Sequence, residues 1–246
     1  MVKIFVDFDG TITRGDVGDA LFERFGGERS LRAVEAYRRG ELSAMECYVE
    51  ECLACGSVPL GELRDFLDSR EIDPTFSVFA GYCRERSFGL TILSDGMDYY
   101  IRAILERHGL GHVPFRANVL SVPPAAEAGH VEFRPGFPHT DEVCDRCASC
   151  KRNHMLTTTA ADDVIVYAGE GYSDRCPVQF ADLVFAKDDL LRHCEENSVA
   201  YYPYATFNDV RDRLEKISPR GANGSAPAFP RRRRAAIARK DVFLGG

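Results

Sequence analysis

The sequence predicts an α/β fold, a Rossmann-like three-layer core around a parallel sheet, and three observations carry that prediction. Short apolar runs without polar alternation recur at residues 2–6, 90–93, 164–167 and 183–185. Strands buried on both faces read this way, because neither side of the pleat meets water. Helical patterning separates the runs, at about 97–107, 187–196 and 206–216, and strands alternating with helices build a parallel sheet. Finally, three of the runs end on acids, serine or glycine, as in Val6-Asp7, Leu93-Ser94 and Ala168-Gly169-Glu170. Ligands bind at the carboxyl ends of the strands in such sheets.

Each remaining segment has a place in that frame. Residues 17–86 are rich in Ala, Leu, Glu and Arg, with breaks at Gly26-Gly27, Gly40, 56–59 and Asp73-Pro74. That pattern predicts four or five helices with no strand between them. Residues 15–86 therefore read as an all-helical cap inserted after the first strand, and residues 1–14 with 87–218 as the core. Residues 113–134 alternate and carry Pro123-Pro124 and Gly129 between extended runs, which predicts a β-hairpin flap. From 219 to 246 the composition turns to Pro, Gly, Ala and Arg, the signature of a poorly ordered basic tail.

Charge narrows the function. The chain of 246 residues has a net charge of −7, yet residues 220–246 hold seven basic groups and one acid. The first 219 residues then carry 24 basic and 37 acidic groups, an acidic body that argues against nucleic-acid binding. A small phosphorylated metabolite in a locally positive pocket remains compatible. No run approaches the roughly 18 apolar residues a membrane span needs. The first strand reaches Asp7 too early for a signal-peptide apolar region, so a cytoplasmic protein, monomer or homodimer, is expected.

The chemistry gathers at the strand ends. Asp7-Phe8-Asp9-Gly10-Thr11 follows the first strand directly. Two carboxylates two residues apart can divide the work of nucleophile and proton carrier, or hold a hard divalent cation. The plainer reading is a turn, since Asp and Gly are common turn residues. Ser94-Asp95-Gly96 ends the second strand and offers a hydroxyl and backbone amides to an anion. Gly169-Glu170-Gly171-Tyr172-Ser173-Asp174 ends the third with two acids suited to Mg²⁺. Lys151, nineteen residues before Glu170, heads the helix leading into that strand and can neutralise phosphoryl charge.

These four elements, in this order, resemble the haloacid dehalogenase superfamily of phosphatases over residues 2–216, with the cap placed as in its phosphoserine phosphatase branch. The resemblance implies a Mg²⁺-dependent phosphatase acting through an aspartyl-phosphate, with Mn²⁺ as the alternate ion. It makes Asp7 the nucleophile and Asp9 the acid and base, with Thr11, Ser94, Asp95, Gly96 and Lys151 binding phosphate. Asp7, Asp9 through its carbonyl, Glu170 and Asp174 would hold the metal. Glu170 departs from the family, which usually has Asp there, so weakened activity or an altered metal preference is open. Gly171-Tyr172-Ser173-Asp174-Arg175-Cys176-Pro177, the Ser94–Asp98 stretch and the cysteines before Lys151 look like the methionine-salvage branch, the 2-hydroxy-3-keto-5-methylthiopentenyl-1-phosphate phosphatases. Phosphoserine is less favoured, because no arginine lies between Arg39 and Arg64 to hold its carboxylate. Phosphocholine-type hydrolysis, transfer to an acceptor alcohol, and a catalytically weak phosphate-ligand binding protein stand as alternatives.

Three further features carry weaker signals. Asp16 sits where the phosphoserine branch places a substrate-reading acid, and a helix N-cap is an equal reading. Cys144-x-x-Cys147-x-x-Cys150, with His139 or His154 as a fourth ligand, leaves a Zn²⁺ site, a redox pair and unmodified thiols all open. The pairs Tyr99-Tyr100 and Tyr201-Tyr202 read as aromatics at the core's edge.

Overall fold

Residues 1–141 and 146–217 are described by the structure, a computed structural model. The elements run β1 (Val2–Val6), α1 (Val17–Arg38), α2 (Ala44–Cys55), β2 (Ser57–Pro59), α3 (Leu60–Asp68), α4 (Pro74–Glu85), β3 (Gly89–Met97) and α5 (Asp98–Arg107). There follow β4 (Phe115–Ser121), β5 (His130–Glu132), β6 (Arg134–Gly136), α6 (Lys151–Thr157), β7 (Val164–Gly169), β8 (Leu183–Ala186), α7 (Asp188–Glu196), β9 (Tyr202–Pro203) and α8 (Phe207–Ile217). The main sheet has the order β6-β4-β3-β1-β7-β8-β9, and every pair is parallel except β4 with β6.

The four apolar runs are the four central strands of that sheet, and β1 lies between β3 and β7. Ile4, Ile92, Val166 and Phe185 are all fully buried, because helices cover both faces of the sheet. One face packs with the cap and α8, and the other with α6 and α7 around Phe5, Ile165 and Leu190. Parallel alignment brings Asp7, Ser94 and Glu170 to the same edge, since each lies at the carboxyl end of its strand. Among the described residues, no helix is long and apolar enough to cross a membrane.

The inserted segment differs from its expected form. The Gly26-Gly27 break is a kink inside a single element, α1, where Gly27 takes φ 57°. Ser43 caps α2 in a reciprocal capping box with Glu46, fixing where that helix begins. The insertion is not wholly helical, because Ser57-Val58-Pro59 forms β2 and pairs antiparallel with β5. Its last helix, α4, packs on α8 and β3, so it joins the core layer while α1 and α2 lie against each other. The segment expected as a hairpin, 113–134, turns back on itself, with Ser121 opposite Arg134 and Pro124 opposite Val131 in antiparallel pairing. Its first arm, β4, is also a strand of the main sheet beside β3, β6 pairs with β4 at the sheet's edge, and β5 meets β2. Runs of two or three residues such as β2, β5, β6 and β9 carry too little periodicity to be read in advance. The basic tail at 219–246 lies outside the described residues.

Candidate active site

Asp7 closes β1, with its amide donating to the Ala168 carbonyl at 3.0 Å, so sheet pairing holds the residue up to the strand's last position. The chain then turns sharply, and the amides of Thr11, Ile12 and Thr13 all point to the Phe8 carbonyl. Gly10 takes φ +68° in this turn, and a Cβ there would lie 2.8 Å from Glu170 Oε1. Only glycine satisfies both the left-handed backbone and the close approach of the Glu170 carboxylate.

Lys151 opens α6 and points into the sheet edge, only 2% exposed. Its ammonium donates to Asp7 Oδ1 at 2.5 Å, Asp174 Oδ1 at 2.7 Å and Ser173 Oγ at 2.8 Å. Burial alone would push this lysine's pKa down, but the charges of Asp174 and Asp7 override it and hold it above the ordinary value. Burial, and then the charge of Asp174, push the Asp7 carboxyl up to about 7, against the pull of Lys151 and the Thr11 hydroxyl.

Asp174 has both oxygens taken. Oδ1 accepts from Lys151 and from Tyr167 Oη at 2.6 Å, and Oδ2 accepts from the amides of Glu170 and Gly171 at 2.9 and 3.1 Å. A carboxylate offers about four lone-pair sites, and these four donors engage them. The resemblance implies that Asp174 is a metal ligand, and the geometry also makes it the anchor of Lys151.

Asp9 faces the cap. Its Oδ1 accepts from the Val17 amide at 3.0 Å, and its Oδ2 accepts from Tyr100 Oη at 2.9 Å and Ser94 Oγ at 3.3 Å. Burial, and then the neighbouring Asp7, push its pKa up to about 7, against the Tyr100, Val17 and Gly18 donors. The register of the β3–β4 pairing shifts between Leu93 and Met97, at the Ser94-Asp95-Gly96 segment. Ser94 Oγ also accepts from the Gly96 amide at 2.9 Å. Asp95 accepts from the Ser149 amide at 2.8 Å, and its carbonyl accepts from Asn118 at 2.7 Å, so it ties this segment to the loop before Lys151. Burial pushes the Asp95 carboxyl up to about 6. Thr11 is 1% exposed.

The remaining expected residues fall in different places. Asp16 is the N-cap of α1, accepting from the Asp19 amide at 2.8 Å, and it also lines the cavity over Asp7 and Asp9. The geometry shows the N-cap, and the place in the cavity wall leaves the substrate-reading role open. Cys144 lies outside the described residues. Cys150 is the N-cap of α6, and a hydrogen bond from Cys147 lowers its thiol to about 7. The rings of His139 and His154 stand 4.5 Å apart beside it. Sequence reasoning missed Tyr167, Ser173 and Tyr100, the last read as a core-edge aromatic although its hydroxyl reaches Asp9. Their hydroxyls become functional only through packing, and no spacing rule marks them.

Among the described residues, no three Asp, Glu, His or Cys side chains are gathered into a ready metal cage. The donor chemistry still fits a hard divalent cation. Glu170 makes no side-chain hydrogen bond or ion pair among the described residues, although its carboxylate lies against Gly10, next to Asp9. Burial and the charges of Asp174 and Asp188 raise its pKa, as expected of an acid short of a counter-ion. Oxygen donors from Asp7, Glu170, Asp174 and the Asp9 carbonyl suit Mg²⁺.

A parallel sheet carrying paired aspartates, a buried lysine and a serine at its carboxyl edge defines a phosphomonoester hydrolase of the haloacid dehalogenase type. The chain belongs to the family described as Putative Phosphatase, whose model matches residues 2–193. It is 28% identical over 219 residues to the 2-hydroxy-3-keto-5-methylthiopentenyl-1-phosphate phosphatase of Bacillus cereus strain B4264, covering 88% of this chain and 97% of that one. The Bacillus mycoides strain KBAB4 protein of the same name is 29% identical over 220 residues, with the same coverage of both chains. In fold it resembles a phospho-aspartyl intermediate analogue of phosphoserine phosphatase, with TM-score 0.61 and 18% identity over 88% of this chain and 98% of that one. Phosphoserine phosphatase from T. onnurineus gives TM-score 0.61 and 16% identity over 87% and 94%.

Proposed function

We propose that this phosphatase hydrolyses a small phosphomonoester through an aspartyl-phosphate on Asp7 with Mg²⁺ as cofactor. The substrate we assign is 2-hydroxy-3-keto-5-methylthiopentenyl-1-phosphate, the compound in its Bacillus relatives' name, which places the enzyme in methionine salvage. The single observation that carries the chemistry is the division of labour at the end of β1. Asp7 bears the ammonium of Lys151, while Asp9, two residues on, is held by Tyr100 and Ser94 instead.

Asp7 attacks phosphorus, and the ester oxygen leaves with a proton from Asp9. Asp9 then takes a proton from water, whose oxygen displaces Asp7 and releases phosphate. A carboxyl pushed up to about 7 is well matched to both halves of that task near neutral pH. Lys151 and the Ser94–Gly96 segment receive the phosphoryl oxygens, and Asp174 with Tyr167 keeps Lys151 in place. Asp7, the Asp9 carbonyl, Glu170 and Asp174 would hold Mg²⁺, which when bound supplies the positive charge that offsets repulsion between carboxylate and phosphate dianion. Asp7→Asn removes the nucleophile without changing its shape. We expect turnover of p-nitrophenyl phosphate to vanish while circular dichroism is unchanged. A wild-type rate in that variant would sink the mechanism. A panel of phosphorylated metabolites assayed with and without Mg²⁺ tests the substrate.

A further inference from the structure

The paired aspartates open onto a cavity of about 1070 Å³ whose far wall belongs to α1 and α2. One residue of that wall has no part in the mechanism above. Glu51, on α2, lines the cavity yet is only 4% exposed. The one hydrogen bond of its carboxyl comes from Ser30 Oγ on α1 at 3.2 Å, and among the described residues it forms no salt bridge. The charged groups facing it from α1 are acids, Asp19 and Asp16. Arg38, also on α1, acts on Asp19 and Cys47 instead. On its own helix Glu51 is accompanied by Tyr48, Cys47, Cys52 and Cys55. Arg134, on the neighbouring β6, pairs with Glu132 at 3.0 Å.

A buried carboxylate with no counter-ion and two acidic neighbours sheds its charge by keeping its proton. Burial, with Asp19 next, pushes Glu51 up to about 8. At neutral pH the cap wall then presents a carboxylic acid that can both donate and accept, flanked by Phe22 and Tyr48.

We infer that Glu51 is the specificity-determining residue of the reaction proposed above: its uncharged carboxyl hydrogen-bonds an uncharged oxygen function of the leaving group. The inference rests on the cavity being the seat of that phosphatase reaction. It extends the reading to the organic half of the substrate, which the strand-end residues do not touch. Ionised Glu51 would lose its donor and repel electron-rich oxygens, so selectivity falls as pH rises through about 8.

The test compares wild type, Glu51→Gln and Glu51→Ala on 2-hydroxy-3-keto-5-methylthiopentenyl-1-phosphate, phosphoserine, phosphoethanolamine and p-nitrophenyl phosphate. We expect Glu51→Ala to lower the kcat/KM ratio of the methylthiopentenyl ester to p-nitrophenyl phosphate about 10-fold, mainly through KM, as loss of one net hydrogen bond does. Glu51→Gln, uncharged at every pH, should recover most of that ratio and abolish its decline above pH 8. Wild type should discriminate against phosphoserine more strongly than Glu51→Gln does at pH 8.5. A ratio unmoved in Glu51→Ala, or an alkaline decline that persists in Glu51→Gln, overturns the inference and leaves the phosphatase reading standing. A wild-type preference for phosphoethanolamine that disappears in Glu51→Gln also overturns it, since Glu51 would then act as a carboxylate. A wild-type protein inactive on all four esters overturns both readings.

Discussion

Replacing Asp174 with Asn tests whether the buried lysine is held as the geometry requires. Asp174 is fully buried and accepts four hydrogen bonds, from Lys151, Tyr167 and two backbone amides. An asparagine amide has the same shape but only one accepting atom, so in either orientation its NH₂ meets two donors. Lys151 also loses one of its two counter-ions. Breaking a buried charge pair from one side costs about 3–5 kcal/mol, and orphaned donors cost about 1–3 kcal/mol each, overlapping with that figure. Taking about 3–5 kcal/mol in all, and about 2–4 °C per kcal/mol for a domain of this size, Tm should fall by about 6–20 °C. Thermal melts by circular dichroism, without added metal, measure the shift. Asp212→Asn, at the exposed Arg211 pair, is the control and should move stability by no more than about 0.5 kcal/mol. The double variant Asp174→Asn/Lys151→Met should be less destabilised than the sum of its single variants, because it removes the unpaired charge. A Tm within about 2 °C of wild type for Asp174→Asn refutes the idea that Asp174 anchors Lys151.

Three other outcomes follow from the same geometry. Glu170→Asp should raise Mg²⁺-supported activity and lower the Mn²⁺-to-Mg²⁺ activity ratio, because the shorter acid lets the smaller ion approach octahedral geometry; Glu170→Ala should lower activity with either ion, and full activity there removes Glu170 from the ligand set. Gly96→Ala would drive a methyl group into Tyr100 Oη and the Asp9 carboxylate, so kcat should drop at least 10-fold; an unchanged pH–rate profile with normal kcat would contradict it. Burial, then His139 and Arg116, hold His154 down to about 4 from 6.5. Between those values the unfolded chain binds the extra proton and the folded chain does not, so this contribution is intact above pH 6.5 and is lost as pH falls toward 4. His154→Gln should flatten that slope in denaturant midpoints, and an identical slope in both proteins counts against it.

The alternation of apolar runs with helical segments was enough to place β1, β3, β7 and β8, and the residues directly after three of them hold most of the candidate site. That legibility has a physical cause. A strand buried on both faces must be continuously apolar, and catalytic groups must break that pattern at its end, so Asp7, Asp9, Ser94 and Glu170 stand out in the chain itself. Lys151 was legible only through resemblance, since nothing local distinguishes it from a solvent-facing lysine. The sequence, by itself, determined the sheet, the insertion after its first strand and the acids at its carboxyl edge. Tertiary structure decided the rest. It made Asp174 the anchor of Lys151, besides its expected place among the metal ligands, because a buried ammonium 23 positions away donates to its Oδ1. It made Tyr100 a partner of Asp9 across 91 positions of sequence, moved α4 into the core layer, and buried Glu51 against Ser30 without a cation. The pairings of Lys151 with Asp174, Tyr100 with Asp9 and Ser30 with Glu51 join residues 23, 91 and 21 positions apart, and hydrophobic period and local spacing report only on neighbours along the chain.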